Sequence, residues 1–385
     1  MMILSRWYYR EDVMLKCNSF VFLMQNFYGG GAEKVIVNLA NELDSKGHSI
    51  SIIVNSTEGP YFCKLNQDVN VVELNKKRLI MGIFDIHSYL SKVQPDYFIS
   101  TLDMPNIING IICLTNKLSN KLSCKFIGRE ANTISSYSWG DTPLLLFKLL
   151  IRKHLYKSID LIIANSPDTQ SEIIEKLRLK NEKVVAIGNP VLNVADIKPI
   201  ESLLPPFRTD KNTYKLITVG RLEFQKNLFF LIDVIERMSC LCNVTIDIYG
   251  IGSLESDLKD YVNNKGLDNN VFFKGFHVDV NGLYSNYDAF VLTSLWEGFG
   301  NVYVEALSSG IPIITTKSKG GAKFILNSPD LGTVCPYDIN GFVSGVLYEV
   351  ENNSLEKTIK RVKRAKCFTI ESIAKLYKQA CDDII

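Results

Sequence analysis

The sequence predicts an α/β protein of two parallel-sheet domains, on two observations: its length, and an alternation of strand-length apolar runs with longer helical patterns that starts twice. A chain of 385 residues exceeds the size at which one hydrophobic core normally keeps growing, so two domains are expected. Apolar residues make up 46% and charged residues 22%, which fills both cores and excludes a disordered chain.

The first series opens with a strand at Phe20 to Met24, a Gly-rich turn, and a helix over Ala32 to Leu43 with apolar residues at helical spacing. A strand at Ile50 to Val54 follows the turn at Lys46 and Gly47, and further strands are expected at Tyr97 to Ser100, Lys125 to Gly128 and Leu161 to Ala164. Strands separated in this way pair in parallel and are covered by helices. From Gly188-Asn189-Pro190 to Pro205-Pro206 the chain is rich in turn residues and has no long periodic pattern, which marks a linker. The second series reads Leu216 to Val219, Val244 to Tyr249, Val271 to Lys274, Ala289 to Leu292 and Ile311 to Thr315. The expected organisation is a Rossmann-like domain over residues 1–194, a second over 195–369 facing it across a central cleft, and a last helix, 370–385, crossing back to the first. Residues Met1 to Lys16 do not read as the entry to a strand, and Met14 is a candidate start.

Composition also excludes several functions. A formal net charge of +2 gives no whole-chain field for nucleic acid. Nine cysteines, odd in number and scattered from Cys17 to Cys381, suggest neither a disulfide framework nor a zinc cluster, and four distant histidines give no metal-ligand spacing. No run approaches the roughly 18 to 20 apolar residues of a spanning helix, and no signal peptide is legible, so a cytoplasmic protein is expected.

In open parallel sheets ligands bind at the carboxyl ends of strands, where helix N-termini present amides to anions. Three such loops carry chemistry. Gly29-Gly30-Gly31-Ala32-Glu33 lets backbone approach a phosphate or sugar closely but lacks the spaced dinucleotide fingerprint. Gly220-Arg221 with Lys226 offers a planar fork and a mobile point charge, between which a pyrophosphate can sit. Trp296-Glu297-Gly298-Phe299-Gly300-Asn301-Val302 leads into a helix with Glu305, so two carboxylates suited to vicinal hydroxyls face one crevice, with amides exposed between them.

Over nearly its whole length the chain resembles the family-4 retaining glycosyltransferases, which have the GT-B fold. The resemblance rests on these three loops together with Arg129-Glu130, Asn165-Ser166, Gly188-Asn189-Pro190 and Gly250 with Gly252. It implies that Arg221 and Lys226 bind a donor diphosphate, Glu305 the ribose hydroxyls, and Glu297 with the amides near Phe299 and Gly300 the transferred sugar. It further implies that Phe276 lies by the base, that Gly30 and Gly31 close over the phosphates or acceptor, and that Asn301 and Val302 begin a helix whose dipole favours the departing phosphate. Many relatives carry a histidine beside the position of Glu130-Ala131-Asn132, where Ala131 can neither hydrogen-bond nor titrate; this leaves Glu130 as a possible contact to acceptor or sugar, and Arg129 either as such a contact or as a structural ion-pair partner.

The reaction implied is transfer of a hexose or N-acetylhexosamine from a nucleotide diphosphate sugar, expected to be UDP-linked, to a lipid-linked saccharide in surface glycan synthesis. The nucleotide sugar is a co-substrate; no cofactor or metal is expected, and the chain has no Asp-x-Asp motif. A helix from Thr142 to Lys157, apolar in its first turns and carrying Lys148, Arg152, Lys153 and Lys157, reads either as a core helix or as a peripheral contact to anionic membrane at the inner face of the cell membrane. The alternatives are a UDP-sugar epimerase on the same fold, against which the scarcity of histidine counts, and a non-catalytic sugar-nucleotide-binding partner subunit.

Overall fold

Side chains on the central strands alternate between two apolar layers, because successive residues point to opposite faces of a sheet covered on both sides. The computed structural model describes residues 17–28, 31–132, 143–197 (backbone only for 143–148), 199–200, 213–277 and 282–384. Seven strands form one parallel sheet: β1 (Ser19–Leu23), β2 (Ser49–Val54), β3 (Asn70–Glu73), β4 (Tyr97–Thr101), β5 (Lys125–Glu130), β6 (Leu161–Ala164) and β7 (Val184–Ala186), in the order β3-β2-β1-β4-β5-β6-β7. The second sheet repeats this order without a seventh strand. It runs β10-β9-β8-β11-β12-β13, from β8 (Thr213–Val219), β9 (Asn243–Tyr249), β10 (Val271–Gly275), β11 (Ala289–Leu292), β12 (Ile313–Thr316) and β13 (Gly332–Cys335).

Each strand expected from the sequence is present. β12 starts at Ile313 rather than Ile311, since Pro312 has no N–H to give the ladder. The strands β3, β7 and β13 were not anticipated; they are short, sit toward or at the sheet edges, and carry little alternation. The helix expected from Thr142 is α4 (Pro143–Ser158), with proline in its first turn; Thr142 itself lies outside the described residues, as do Met1 to Lys16.

On β1, Phe20 and Phe22 face the inner layer, and Val21 and Leu23 the outer one. The inner cluster continues through α1 (Gly31–Ser45) and α12 (Ile370–Asp382) to Ile217, Phe290, Leu292 and Ile313 of the second sheet, so one apolar core joins the two halves. The chain crosses between the halves twice, side by side. Val191 N–H donates to the Phe368 carbonyl at 3.0 Å and Ile370 N–H to that of Leu192 at 2.9 Å. Thr369 then caps α12 by accepting from the Ser372 amide, and the helix lays Ile373, Ala374, Tyr377 and Cys381 into the core beside α1. Tyr97 of the first sheet donates to Asp382 at 2.8 Å. No described helix is long and apolar enough to cross a membrane.

In both sheets the strand order reverses at one place, between β1 and β4 and between β8 and β11. Loops leaving neighbouring strands there turn to opposite faces and open a crevice.

Candidate active site

The crevice of the second sheet is built by the loops after β8 and β11. After β8 the chain makes a tight turn over Phe224–Lys226, and Asn227 takes a left-handed conformation (φ 49°) before α6 (Leu228–Ser239). The loop after β11 is stitched to this turn: Leu295 N–H donates to the Gln225 carbonyl at 2.8 Å, Gln225 Nε2 to that of Trp296 at 2.7 Å, and Thr293 Oγ1 to that of Lys226 at 2.9 Å. These bonds bring Lys226 Nζ to 2.6 Å from Glu297 Oε1, which also accepts from Ser294 Oγ at 2.6 Å. Both charged side chains are buried, 9% and 6% exposed, so the pair is shielded from water on most sides. Arg221, at the end of β8, stays exposed.

Gly300, left-handed at φ 82°, then turns the chain into α8 (Asn301–Ser308). Its first-turn amides and dipole face the crevice, and Glu305 lies on its second turn. Tyr284 Oη donates to Glu305 Oε2 at 3.3 Å, while Lys34 of α1 reaches across to within 3.9 Å of Oε1. Burial and the Glu305 charge push the Tyr284 phenol well above its ordinary pKa, so it stays protonated and able to donate.

Facing α8 is the first turn of α1. A Cβ placed on Gly31 would lie 3.5 Å from Asn301 Nδ2. Gly30 lies outside the described residues. Further along, a Cβ on Gly298 would lie 2.2 Å from the Ala131 carbonyl oxygen, so the loop after β5 touches the Glu297 loop closely enough to require glycine. Gly320 N–H donates across the cleft to Asp168 Oδ2 at 3.2 Å.

The structure thus gathers Lys226, Glu297, Gly300, Asn301, Val302, Glu305 and Gly31 around one crevice, with Arg221 at its rim. Phe276 stands just past β10 and is 69% exposed. The ring of Phe299 is buried against Phe324 and Phe368, which leaves only its backbone for a ligand. Arg129 and Glu130 are both buried, Arg129 bonded within the protein and Glu130 through Oε1 alone, its Oε2 having no hydrogen-bond partner among the described residues. Arg129 donates to Tyr377, Thr101 and Asn189; Glu130 Oε1 accepts from Asn106 at 3.0 Å, Arg152 at 2.8 Å and Tyr156. They point to opposite faces of β5, as neighbours on a strand must.

Sequence reasoning gave no role to Lys34, Tyr284, Ser294 or Asn189. Ser294 stands three residues before Glu297 and could have been found from that loop, but the others reach the site only through tertiary packing. Among the described residues, no three His, Cys, Asp or Glu side chains converge as metal ligands.

Comparison with known proteins gives the following. The family model described as Glycosyltransferase Family 4 matches residues 29–191, and the one described as Glycosyl transferases group 1 matches 200–366. An uncharacterized glycosyltransferase of Methanocaldococcus jannaschii is 30% identical over 260 residues, 65% of this chain; the chain spans 62% of that protein's length. The N-acetylgalactosamine-N,N'-diacetylbacillosaminyl-diphospho-undecaprenol 4-alpha-N-acetylgalactosaminyltransferase of Campylobacter jejuni is 25% identical over 94% of this chain and 98% of its own. Among solved structures, HepE of Anabaena in complex with UDP superposes with a TM-score of 0.77 at 20% identity, covering 94% of this chain and 99% of that one.

Proposed function

This chain belongs to the family-4 glycosyltransferases of GT-B fold, and from that membership we propose a retaining enzyme that moves a hexose or N-acetylhexosamine from a UDP-sugar to a lipid-linked saccharide in surface glycan synthesis. The observation that carries the reading is the buried Lys226–Glu297 pair beside the N-terminus of α8, at the switch point of the second sheet.

In this reading the anomeric C–O bond to the β-phosphate breaks and its electron pair leaves with UDP. An acceptor hydroxyl forms the new C–O bond on the same face, and its proton passes to a phosphate oxygen. Arg221, Lys226 and the α8 amides stabilise the charge gathering on the diphosphate, which is the largest demand of the step. Glu305 accepts from the ribose hydroxyls and Glu297 from those of the sugar, while the Lys226 ammonium holds Glu297 in place. No side-chain nucleophile takes part, and the charges on the chain itself meet the need that a metal meets elsewhere.

The Campylobacter relative, by its name, acts on a diphospho-undecaprenol saccharide, which supports a lipid-linked acceptor here. The surface of the first half suits that acceptor. On α4, Arg152, Leu155 and Tyr156 turn inward, while Leu150 and Ile151 are 55% and 38% exposed beside the exposed Lys157; on the neighbouring α3 (Asp103–Ser119), Leu114 and Leu118 are exposed with Lys117. Apolar side chains among cations favour an anionic membrane face. Binding to anionic vesicles at low salt, absent with neutral ones, is expected; a protein that ignores both sinks the membrane part of the proposal.

The reading as a whole is tested by melting temperature in a panel of nucleotides and nucleotide sugars. UDP or a UDP-sugar should raise it, and Glu305→Ala should abolish the rise. A protein indifferent to every nucleotide tested contradicts the proposal.

A further inference from the structure

Arg129 is a cation with no exposed surface, yet each hydrogen bond it makes goes to a neutral oxygen: Nε to Tyr377 Oη at 3.1 Å, Nη1 to Thr101 Oγ1 at 2.9 Å and Nη2 to Asn189 Oδ1 at 2.7 Å. A guanidinium has only donors, so the end of the Asn189 amide that meets it must be the oxygen. The amide nitrogen of Asn189 must then face the other way, where it donates to Asn301 Oδ1 at 2.8 Å. Asn301 is fixed in turn. With its oxygen held by Asn189, its Nδ2 is directed toward Gly31, where a Cβ would meet it at 3.5 Å.

The orientation of two amides is therefore dictated by one buried charge. Flipping Asn189 would set an NH2 group against the guanidinium in a medium of low dielectric, an unpaired and repulsive contact. Asn301 cannot flip on its own either, because two NH2 groups would meet. The result is an NH2 donor on the first residue of α8, aimed at the gap between the starts of α8 and α1.

We infer that Arg129 and Asn189 are positioning residues that hold Asn301 Nδ2 as a hydrogen-bond donor to the diphosphate of the nucleotide sugar. The inference rests on the proposed donor site, where that diphosphate meets the N-terminus of α8. Neither Arg129 nor Asn189 touches the ligand. Arg129 leaves β5 of the first sheet and Asn189 follows β7, whereas Asn301 belongs to the second, so the donor group is aligned only when the two halves meet.

The test is titration of the full chain with UDP. Asn189→Asp keeps an oxygen for Arg129, and so keeps the fold, but has no NH2 for Asn301; Asn301 Nδ2 then turns to the new carboxylate and presents its oxygen to the diphosphate. UDP affinity should fall by about tenfold or more, with the melting temperature of the free protein held or raised. In an Asn301→Ala background the same substitution should change UDP affinity no further, since the pair acts through one group. Asn301→Asp, which still accepts from Asn189 but offers no NH2, should weaken UDP binding in a protein folded as before, and serves if Asn189→Asp fails to fold. UDP bound by Asn189→Asp as tightly as by the unaltered protein, or a loss equal in both backgrounds, overturns the inference alone. An unaltered protein that binds neither UDP, GDP nor ADP overturns the donor site and the inference with it.

Discussion

At the level of single residues, the site depends on a buried ion pair whose members serve each other before any substrate arrives. Removing one partner of such a pair strands the other charge, whereas replacing both with apolar groups is close to neutral. Lys226→Met should therefore cost about 3–5 kcal/mol of stability, and Lys226→Met with Glu297→Met should recover most of it, as read from urea unfolding midpoints. Neither variant should turn over a donor. A double variant no more stable than the single one would show that the pair is not coupled. Lys226 and Glu297 stand out in the sequence because each lies in the loop after a strand, and Glu305 because it lies on the second turn of the helix that follows. Position after a strand leaves Arg129 and Glu130 open to a ligand or a structural role; the side-chain direction that buries both belongs to the finished sheet. Lys34 carries no local signal, and Asn189 is legible only as part of the Gly188-Asn189-Pro190 motif, without a role; the folding of α1 and the crossover brings both to α8.

Among elements, the decisive piece is the loop from Thr293 to Gly300, which is tied to the Phe224–Lys226 turn on one side and touches the first sheet's loops on the other. Gly298→Ala would drive a methyl group to 2.2 Å from the Ala131 carbonyl and 2.9 Å from Asn132 Oδ1. Overpacking of this kind costs about 1–3 kcal/mol. The cost falls on the approach of the two halves, so kcat/KM should drop by tenfold or more, and because the halves share one core the melting temperature should fall with it. Unaltered kcat/KM would mean that this contact is not part of the working state. Central strands such as β1, β6 and β11 could be read from the sequence because burial on both faces leaves an uninterrupted apolar run. The short strands β3 (Asn-Val-Val-Glu), β7 (Val-Val-Ala) and β13 (Gly-Thr-Val-Cys) offer too few apolar positions to rise above their flanks, and pairing with a neighbour is what makes them strands.

Over the whole molecule, the two halves share a core, and the chain crosses between them at two adjacent points. The apolar layer from β1 through α1 and α12 to Phe290 and Ile313 would be opened if either half unfolded alone, so calorimetry should record a single transition. Two separated transitions would indicate that the halves hold their cores independently. The repeated strand order was foreseeable from the alternation of runs. That the halves face one cleft, with the last helix crossing back, comes from the resemblance rather than from any local pattern; the contacts by which α12 and the paired crossovers seat one sheet against the other are legible only in the folded chain.

The most direct measurement is proton NMR of a UDP-α-sugar panel incubated with the protein and an undecaprenyl-diphosphate saccharide, following UDP release and the anomeric signal of the product. The account predicts UDP together with a new α-glycoside, and neither product with Glu297→Ala. A β-linked product would contradict the retaining mechanism, and UDP release undiminished in Glu297→Ala would contradict the site.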